Sequence, residues 1–316
     1  NPLMCGMPNL SYENHRSTLL MHGYTIIRID EQNINKVITR NIVEIVSPST
    51  EIRNSHLQVK KNIVCIYIEV VKAKMNIEKN LLLTGISCVD LSTGKNMLSE
   101  IYSKEHDELY ALQEIYRFLC VTQPIEVILY LNKIPEVGKE NYVYFVREQL
   151  NIDSYEFSKV HVNTIDSHFF DTGYQNQMLM KAFSTTLSAT TLSGNSSSSV
   201  TEVKEISTNM IDRLDIERLN YGRISYCLLL QYCHNYNEKL ISRLQIPEIS
   251  YLDESKYLTL TYNSAEQFNL VPRYEDILQK VQVDSIFSIV NNTKTKMGER
   301  FLKCRLLHPN PNIEEL

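Results

Sequence analysis

Four acidic residues in the middle of this 316-residue chain are the first candidates for chemistry. A two-metal nuclease needs several converging carboxylates, and Asp90 ends an apolar run that predicts a strand. Asp90 could also simply cap the tight turn predicted at residues 92–95. The possible partners of Asp90 are Glu126, Asp166 and Asp171, and none of them lies in a recognisable nuclease motif. Turn capping is therefore the favoured interpretation, and a metal-dependent nuclease stays an alternative.

The seven cysteines are an odd number and are scattered, mostly within apolar segments. This pattern predicts reduced, buried thiols in an intracellular protein. Cys227, Cys233 and His234 come nearest to a metal motif, but their intervals do not suit zinc. We therefore predict packing roles for these residues and no metal site.

Nucleotide binding by a P-loop requires glycines five residues apart, followed by lysine and serine or threonine. The two nearest of the nine glycines are Gly85 and Gly94, so this chain contains no such loop.

Charge is unevenly distributed along the chain, whose net charge is −5. Residues 1–80 carry 10 basic and 7 acidic side chains, whereas residues 81–183 carry 8 and 14. The first segment is therefore the better candidate for contact with phosphates. No apolar run approaches the length of a membrane span, and no signal-peptide pattern opens the chain.

Hydrophobic patterning predicts α/β structure over the first half of the chain. A buried parallel strand is indicated by the continuous apolar run at 125–131, bounded by Pro124 and Asn132. The other predicted elements are a helix ending near His22, strands at 24–29, 63–68, 82–91, 96–101 and 160–162, and helices at 106–119 and 141–150. Their order favours a mixed sheet with helices packed on it.

Residues 184–200 are rich in serine and threonine and cannot bury enough apolar surface to order themselves, which predicts a flexible linker. Helical spacing resumes between Asp215 and about Leu244.

Residues 284–309 predict two short amphipathic helices joined by a polar hinge. One apolar face contains Ile286, Phe287, Ile289 and Val290, and the other contains Met297, Phe301, Leu302, Leu306 and Leu307. Five basic residues line the polar side of the second helix, and we expect them to meet acidic neighbours within the protein: Lys294, Lys296, Arg300, Lys303 and Arg305.

The amino-acid sequence of this segment is SIFSIVNNTKTKMGERFLKCRLLHP. It resembles the hallmark sequence at the start of the core, or lever, domain of the MutS family of DNA mismatch-repair proteins. Arg305 stands where that family usually has tryptophan. The residues that match the family motif, to which we assign a structural role, are Thr293, Thr295, Met297, Gly298, Arg300, Leu302, Leu306 and Pro309.

Five further segments resemble the same family and follow its order. CGMPNLSYENHRSTLLMHGYTIIRIDEQ is similar to the second half of the mismatch-binding domain, and TRNIVEIVSPST is similar to the linker after it. GISCVDLSTGK is similar to the connector domain, which has an RNase H-like fold. YCLLLQYCHNY and YLTLTYNSAEQFNLV are similar to segments that precede the lever. Together the six segments cover almost the whole chain.

The resemblance implies an α/β plus α architecture. It places the end of the mismatch-binding domain and its linker at 1–50 and a mixed-sheet, RNase H-like connector at 51–183. A flexible linker follows at 184–213, and the start of a helical core or lever domain at 214–316. Because the first residue is Asn1, we expect the chain to be a piece of a longer polypeptide.

The function that the resemblance implies is DNA mismatch repair. Family members bind duplex DNA with mismatches or loops, form homo- or heterodimers, and couple recognition to an ATPase domain that uses ATP and Mg²⁺. We expect that domain to lie outside this chain, and we expect the connector to offer a surface to a downstream repair factor.

The family reads mismatches with a Phe-x-Glu pair, and none of the nine phenylalanines here is followed by glutamate two positions later. In the family this pair lies upstream of the segments matched here, so it is either outside this chain or absent from the protein. If it is absent, the alternative is a relative that binds branched recombination DNA without mismatch reading. The expected location is the nucleus or cytoplasm, and the richness in Asn, Ile and Lys fits the AT-rich genome of a virus or organelle.

Within this chain, the residues expected to lie nearest DNA are Met7, Pro8 and Asn9 in the first loop, with Arg16 and Arg28 as further candidates. The alternative is that this loop only supports its domain.

Overall fold

The structure is a computed structural model, and it describes about three quarters of the chain in a series of segments. The described residues are 6, 8, 11–22, 24–34, 37–47, 50, 62–72, 80–91, 93–104, 107, 109–122, 124–135, 138–155, 157–191, 209–236, 241, 244–249, 262–271, 285–307 and 309–312.

The first unit is a helix on a two-stranded antiparallel ribbon. Helix α1 (Tyr12–Met21) precedes strands β1 (Ile26–Ile34) and β2 (Val37–Val46). A register shift between Arg28 and Ile29 marks a bulge in the ribbon. The segment that resembled an interdomain linker is therefore largely a strand, because its β-branched residues pair with those of β1.

The centre of the molecule is a six-stranded mixed sheet. Its strands are β3 (Asn62–Lys72), β4 (Asn80–Asp90), β5 (Asn96–Tyr102), β6 (Glu126–Asn132), β7 (Phe157–Val162) and β8 (Glu248–Ile249). Their order across the sheet is β7-β6-β3-β4-β5-β8. Strand β4 is antiparallel to both neighbours, whereas β6 is parallel to β3 and β7. The predicted mixed sheet and the buried parallel strand near 125–131 are confirmed.

Helices cover both faces of this sheet. Helices α2 (Tyr110–Thr122) and α3 (Lys139–Gln149) pack on one face, around Ile66, Ile115 and Leu129. Helices α4 (Thr172–Thr191), α5 (Met210–Arg213) and α6 (Asn220–Tyr236) cover the other. Strand β3 contributes side chains to both clusters, which is why nearly all its residues are apolar.

Helix α2 begins four residues later than the sequence pattern predicts. Lys104 and Asp107 form an isolated antiparallel bridge, and an Asp107 carboxylate oxygen accepts a hydrogen bond from the Leu109 backbone N–H. These local bonds hold Lys104, Asp107 and Leu109 outside the helix.

Helix α4 continues to Thr191, so the first eight residues of the predicted flexible linker are helical. Met178, Leu179, Ala182 and Phe183 anchor the helix in the core. Extending an existing helix costs far less than starting one, and no glycine or proline intervenes before Gly194. The remainder of the predicted linker, up to residue 208, lies outside the described residues.

Helix α6, which was expected to open the helical domain at residue 214, packs directly on β3 and β4. Its N-terminal turn approaches the sheet at Gly85, where a Cβ atom would collide with the Tyr221 carbonyl and lie 2.6 Å from the Gly222 nitrogen. The predicted division at residue 214 therefore does not coincide with a break in packing.

Three short helices complete the described chain: α7 (Tyr262–Gln267), α8 (Ile286–Val290) and α9 (Lys296–Leu307). Helices α7 and α9 contact α2, and Leu307 and Ala265 are buried in the cluster on that side of the sheet. None of the helices in the described segments is both long and apolar enough to cross a bilayer.

The close approach at Gly85 generates a stability prediction. We expect Gly85→Ala to lower the free energy of unfolding by about 3 kcal/mol, because the added methyl group forces the α6 backbone away from β4. Urea denaturation of the purified protein measures the change.

Gly6→Ala is the control, since no atom lies within 4 Å of the position of its Cβ. Its unfolding free energy should change by less than about 0.5 kcal/mol. Equal stability of the two variants would show that α6 does not approach the sheet this closely.

Candidate functional site

The first loop and α1 contain the residues predicted to lie near DNA. Pro8 is exposed, and its carbonyl oxygen accepts hydrogen bonds from the backbone N–H and the hydroxyl of Ser11, both at 3.0 Å. Met7 and Asn9 lie outside the described residues. The loop is thus tied to the start of α1, while the surface of Pro8 stays accessible.

Arg16 lies in α1, and its side chain is enclosed between this helix and the ribbon. Only 2% of its surface is exposed. Its guanidinium lies 3.0 Å from Oε1 of Glu44, and the Tyr12 hydroxyl donates to Oε2 of the same carboxylate at 3.1 Å. Burial, followed by the nearby negative charge of Glu44, raises the pKa of Tyr12. This arrangement fits the alternative in which Arg16 supports the domain.

Arg28 is also committed to an internal contact. Its guanidinium forms two hydrogen bonds with the Asp30 carboxylate, both at 2.9 Å, and lies 4.7 Å from the centroid of the Tyr12 ring. The hydrogen bond to Asp30 raises the pKa of Arg28. A bidentate pair of this kind fixes the orientation of the side chain, so Arg28 orders the ribbon in the described state.

The acidic candidates for metal chemistry are not brought together. Asp90 ends β4, and its carboxylate accepts a hydrogen bond from the Thr93 hydroxyl at 2.9 Å, as expected for a turn cap. Glu126 begins β6 and contacts Lys159 and Tyr232. Asp171 accepts a hydrogen bond from the Tyr174 backbone N–H, and Asp166 precedes the short 3-10 helix at 167–170. Over the described segments, no group of three or more histidine, cysteine or acidic side chains could hold a metal ion.

Cys227 and Cys233 lie in α6 and are fully buried, together with Cys65 of β3. Burial raises the pKa of each of these thiols to about 12. Their apolar surroundings fit the predicted packing role.

Glu126 and Lys159 form a network that the sequence pattern did not reveal. Glu126 is 2% exposed and accepts hydrogen bonds from the Lys159 ammonium at 3.0 Å and from the Tyr232 hydroxyl. The Lys159 ammonium also contacts the hydroxyls of Tyr232 at 2.5 Å and Tyr236 at 2.9 Å. The bonded partners are 33 to 106 residues apart, so no local spacing could have indicated the network.

The C-terminal helix pair carries the residues of the family motif. Thr295 Oγ1 accepts a hydrogen bond from the Gly298 N–H at 3.1 Å, and a Cβ at Gly298 would lie 3.4 Å from the Cβ of Thr293. Thr293 Oγ1 in turn donates to Asn291 at 2.6 Å. The threonines and the glycine therefore build the tight entry to α9.

The predicted apolar faces of α8 and α9 are only partly buried. Phe287 and Leu307 are buried, and Leu302 and Leu306 are half-buried, whereas Met297 and Phe301 are 74% and 66% exposed. Ile286, Ile289 and Val290 are exposed as well. Among the described side chains of α9, Leu307 is the one buried in the cluster around α2.

The basic side of α9 has described contacts at two residues, Arg305 and Lys303. The Arg305 guanidinium lies 5.8 Å from the centroid of the Phe301 ring, which is a cation–π arrangement. Burial lowers the pKa of Lys303, whose neighbours include Cys120 of α2 and Glu299. The side chains of Lys296 and Arg300 lie outside the described residues, and Pro309 is half-buried just after the helix.

The amino-acid sequence matches known proteins over almost the whole length of the chain. The family described as MutS domain I matches residues 2–55. A mutS homolog from Acanthamoeba polyphaga mimivirus is 29% identical over 318 residues, a match that covers 98% of this chain and 27% of the relative. Over nearly its whole length, this chain is therefore similar to proteins of the MutS family.

Bacterial relatives give the same result at lower identity. Two proteins named DNA mismatch repair protein MutS, from Alkaliphilus oremlandii and Fervidobacterium nodosum, are 21% and 22% identical. Each match covers 99% of this chain and 30% of the relative. The chain thus spans less than a third of the length of the curated MutS relatives that it matches.

The enclosed Arg16 generates the second prediction. Glu44→Ala removes the carboxylate from a buried guanidinium, so we expect the free energy of unfolding to fall by about 3 kcal/mol. Glu31→Ala is the matched control in the same ribbon. Its partner Arg40 is 71% exposed and 2.7 Å away, so the loss should be below about 1 kcal/mol. Similar losses for the two variants in urea denaturation would contradict the buried role of Arg16.

The buried thiols generate the third prediction. In a Cys5→Ser/Cys304→Ser variant the remaining cysteines are the five that are buried in the structure. A pKa of about 12 leaves roughly one thiol in 10⁴ ionised at pH 8 for Cys65, Cys227 and Cys233. Absorbance assays with a thiol-reactive disulfide should therefore show reaction at least about 100-fold slower in the native protein than in urea. A thiol that reacts rapidly in the native protein would show that the core around α6 is open.

Proposed function

We propose that this chain is the segment of a DNA mismatch-repair protein that links a mismatch-binding domain to a lever. The observation that carries the proposal is the similarity to proteins named DNA mismatch repair protein MutS across 97–99% of the chain. The whole protein would bind mismatched or looped duplex DNA as a homo- or heterodimer and couple recognition to an ATPase domain outside this chain. ATP and Mg²⁺ would bind in that domain.

The central unit is proposed to be an RNase H-like connector. Counted from β3, the first five strands are arranged 3-2-1-4-5 across the sheet, and the second strand is antiparallel to its neighbours. This order supports the assignment. The scattered positions of Asp90, Glu126 and Asp171 argue against nuclease chemistry on this scaffold.

The packing supports a relay role for the connector. On one side of the sheet α6 contacts β2 of the N-terminal ribbon, and on the other side α9 contacts α2. A displacement of α9 can therefore reach the ribbon through a single packed α/β unit. We further propose that the connector offers a surface to a downstream repair factor.

Direct contact with DNA from this chain is proposed for the first loop, namely Met7, Pro8 and Asn9. Arg16 and Arg28 are better assigned to positioning, because both are bonded to carboxylates inside the domain. A relative that binds branched DNA remains the second candidate, because the Phe-x-Glu pair is absent from this chain.

The fourth prediction concerns DNA preference. The intact protein should bind a G·T heteroduplex more tightly than a matched duplex or a four-way junction, with ATP relieving that preference. Fluorescence anisotropy at one fixed salt concentration measures the three affinities, since phosphate contacts make affinity depend on salt. A preference for the junction, with equal binding to both duplexes, would favour the branched-DNA candidate. No binding to any of the three would refute both.

Loop variants locate the contact. We expect Met7→Ala combined with Asn9→Ala to weaken heteroduplex binding about tenfold, which corresponds to about 1.4 kcal/mol. Asn14→Ala, an exposed substitution on α1, is the control and should leave the affinity unchanged. If the loop variant also binds normally, the first loop only supports its domain.

A further inference from the structure

Strand β7 forms one edge of the central sheet. It pairs with β6, and no other described strand lies on its far side. The Asn163 N–H donates to the Leu131 carbonyl at 2.8 Å. This bond determines which alternate residues of β7 are hydrogen-bonded to β6. In a parallel pair, alternate residues direct both backbone groups to the same neighbour. Phe157, Lys159 and His161 therefore face β6, whereas the N–H and C=O groups of Ser158, Val160 and Val162 point outward.

The usual protections of an edge strand are not found along these six residues. Natural edges are blunted by proline, bulges or a lysine standing over the edge. Strand β7 contains no proline or glycine, and its register with β6 is continuous. The Lys159 ammonium turns towards Glu126 and the tyrosines of α6, and the His161 ring stacks on Tyr130 with centroids 4.6 Å apart.

Side-chain contacts on both faces of the sheet also hold β7 in place. Val160 and Val162 pack on the apolar cluster around α2 and α3, and Lys159 is anchored on the opposite face. A segment that pairs with β7 would therefore meet a strand that is already extended and ordered, which lowers the entropic cost of docking.

We propose that the outer edge of β7 is a docking site for an extended segment of a partner protein, which adds to the sheet as a further strand. Its backbone would pair with Ser158, Val160 and Val162, as in other cases of strand addition. This inference goes beyond the proposed function and does not depend on DNA binding.

The side chains beside the edge define the chemistry of the partner. On the Val160 and Val162 side, the neighbouring surface is apolar and favours β-branched residues. On the other side, the Lys159 side chain is 38% exposed whereas that of its partner Glu126 is 2% exposed, so the basic member of the ion pair is the more accessible one. A strand that alternates apolar and acidic residues complements both sides.

A second copy of this chain is a poorer occupant. Antiparallel pairing of two β7 strands centred on Val160 would set each Lys159 opposite the other chain's His161 on one face. Burial, followed by the charge of Lys159, lowers the pKa of His161, so a neutral imidazole would face each lysine and the pairing would bring no acidic partner to Lys159.

The test uses the intact ¹⁵N-labelled protein and a synthetic seven-residue peptide of alternating valine and glutamate with blocked ends. We expect the amide resonances of Ser158, Val160 and Val162 to shift on titration and their hydrogen exchange to slow. A peptide of the same composition with its four valines and three glutamates in separate blocks should bind at least about tenfold more weakly.

Val160→Pro is the decisive variant, because it removes an outward N–H without removing a bond to β6. It should weaken peptide binding at least about tenfold, whereas Val160→Ala, which keeps the N–H, should stay within about threefold of the unchanged protein. Urea denaturation and heteroduplex binding serve as folding controls. They also separate a failure of this proposal from a failure of DNA recognition.

Three outcomes would overturn the proposal: no shift at millimolar peptide, equal binding by Val160→Pro, or shifts centred away from β7. Self-association that increases with protein concentration and is abolished by Val160→Pro would assign the edge to a second copy instead.

Discussion

The contact between the first turn of α6 and strand β4 is the constraint on which the rest of the structure depends. At Gly85 the helix backbone lies so close to the strand that no side chain fits between them. The same helix turn is bonded to the sheet by polar groups. The Glu100 carboxylate accepts from the Tyr221 and Gly222 N–H groups at 2.7 and 2.9 Å, and burial raises the pKa of Glu100. A short helix-to-sheet distance at one end orients the whole of α6 across the sheet.

Further along α6, buried hydroxyls make the docking specific. Ser225 donates to the Cys65 carbonyl at 2.8 Å and lies 2.9 Å from the Ser87 hydroxyl, and the Tyr226 hydroxyl bonds to Asn96 at 2.9 Å. Each of these groups would be costly to bury without a partner, so sliding the helix by one residue would leave several of them unsatisfied. The apolar contacts supply most of the stability, and the hydroxyls select one alignment.

Much of the fold could be predicted because its signals are local. The apolar run at 125–131, the turn at Gly94 and the alternation near Ile26 each depend on a few adjacent residues, and the strands and the turn are present. The six ordered motif segments indicated the similarity to MutS proteins for a similar reason, since each is a contiguous string. The RNase H-like assignment and the domain division stay predictions.

The sequence could not indicate which partner each face would meet. Helix α9 does have apolar spacing, but periodicity does not reveal that, among its described side chains, Leu307 is the one buried in the cluster around α2. Arg16 was predicted from the sequence to lie near DNA. Its burial could not be foreseen, because it depends on Glu44, which is 28 residues away. The serine-rich segment looked flexible, although its first residues continue a helix that the core already holds. These differences all arise from tertiary contacts that override local composition.

The position of α6 in the chain has a consequence for biosynthesis. Strand β3 is complete at residue 72, but the helix that covers its Cys65 and Tyr67 side ends at Tyr236. At translation rates of about 5–20 residues per second, α6 is synthesised roughly 8 to 30 seconds after β3. Until then, α6 cannot cover the apolar face of the sheet. Contacts separated by 160 residues also form slowly because the chain must close a long loop first. During synthesis the half-covered sheet is therefore the species most exposed to aggregation and most in need of a chaperone.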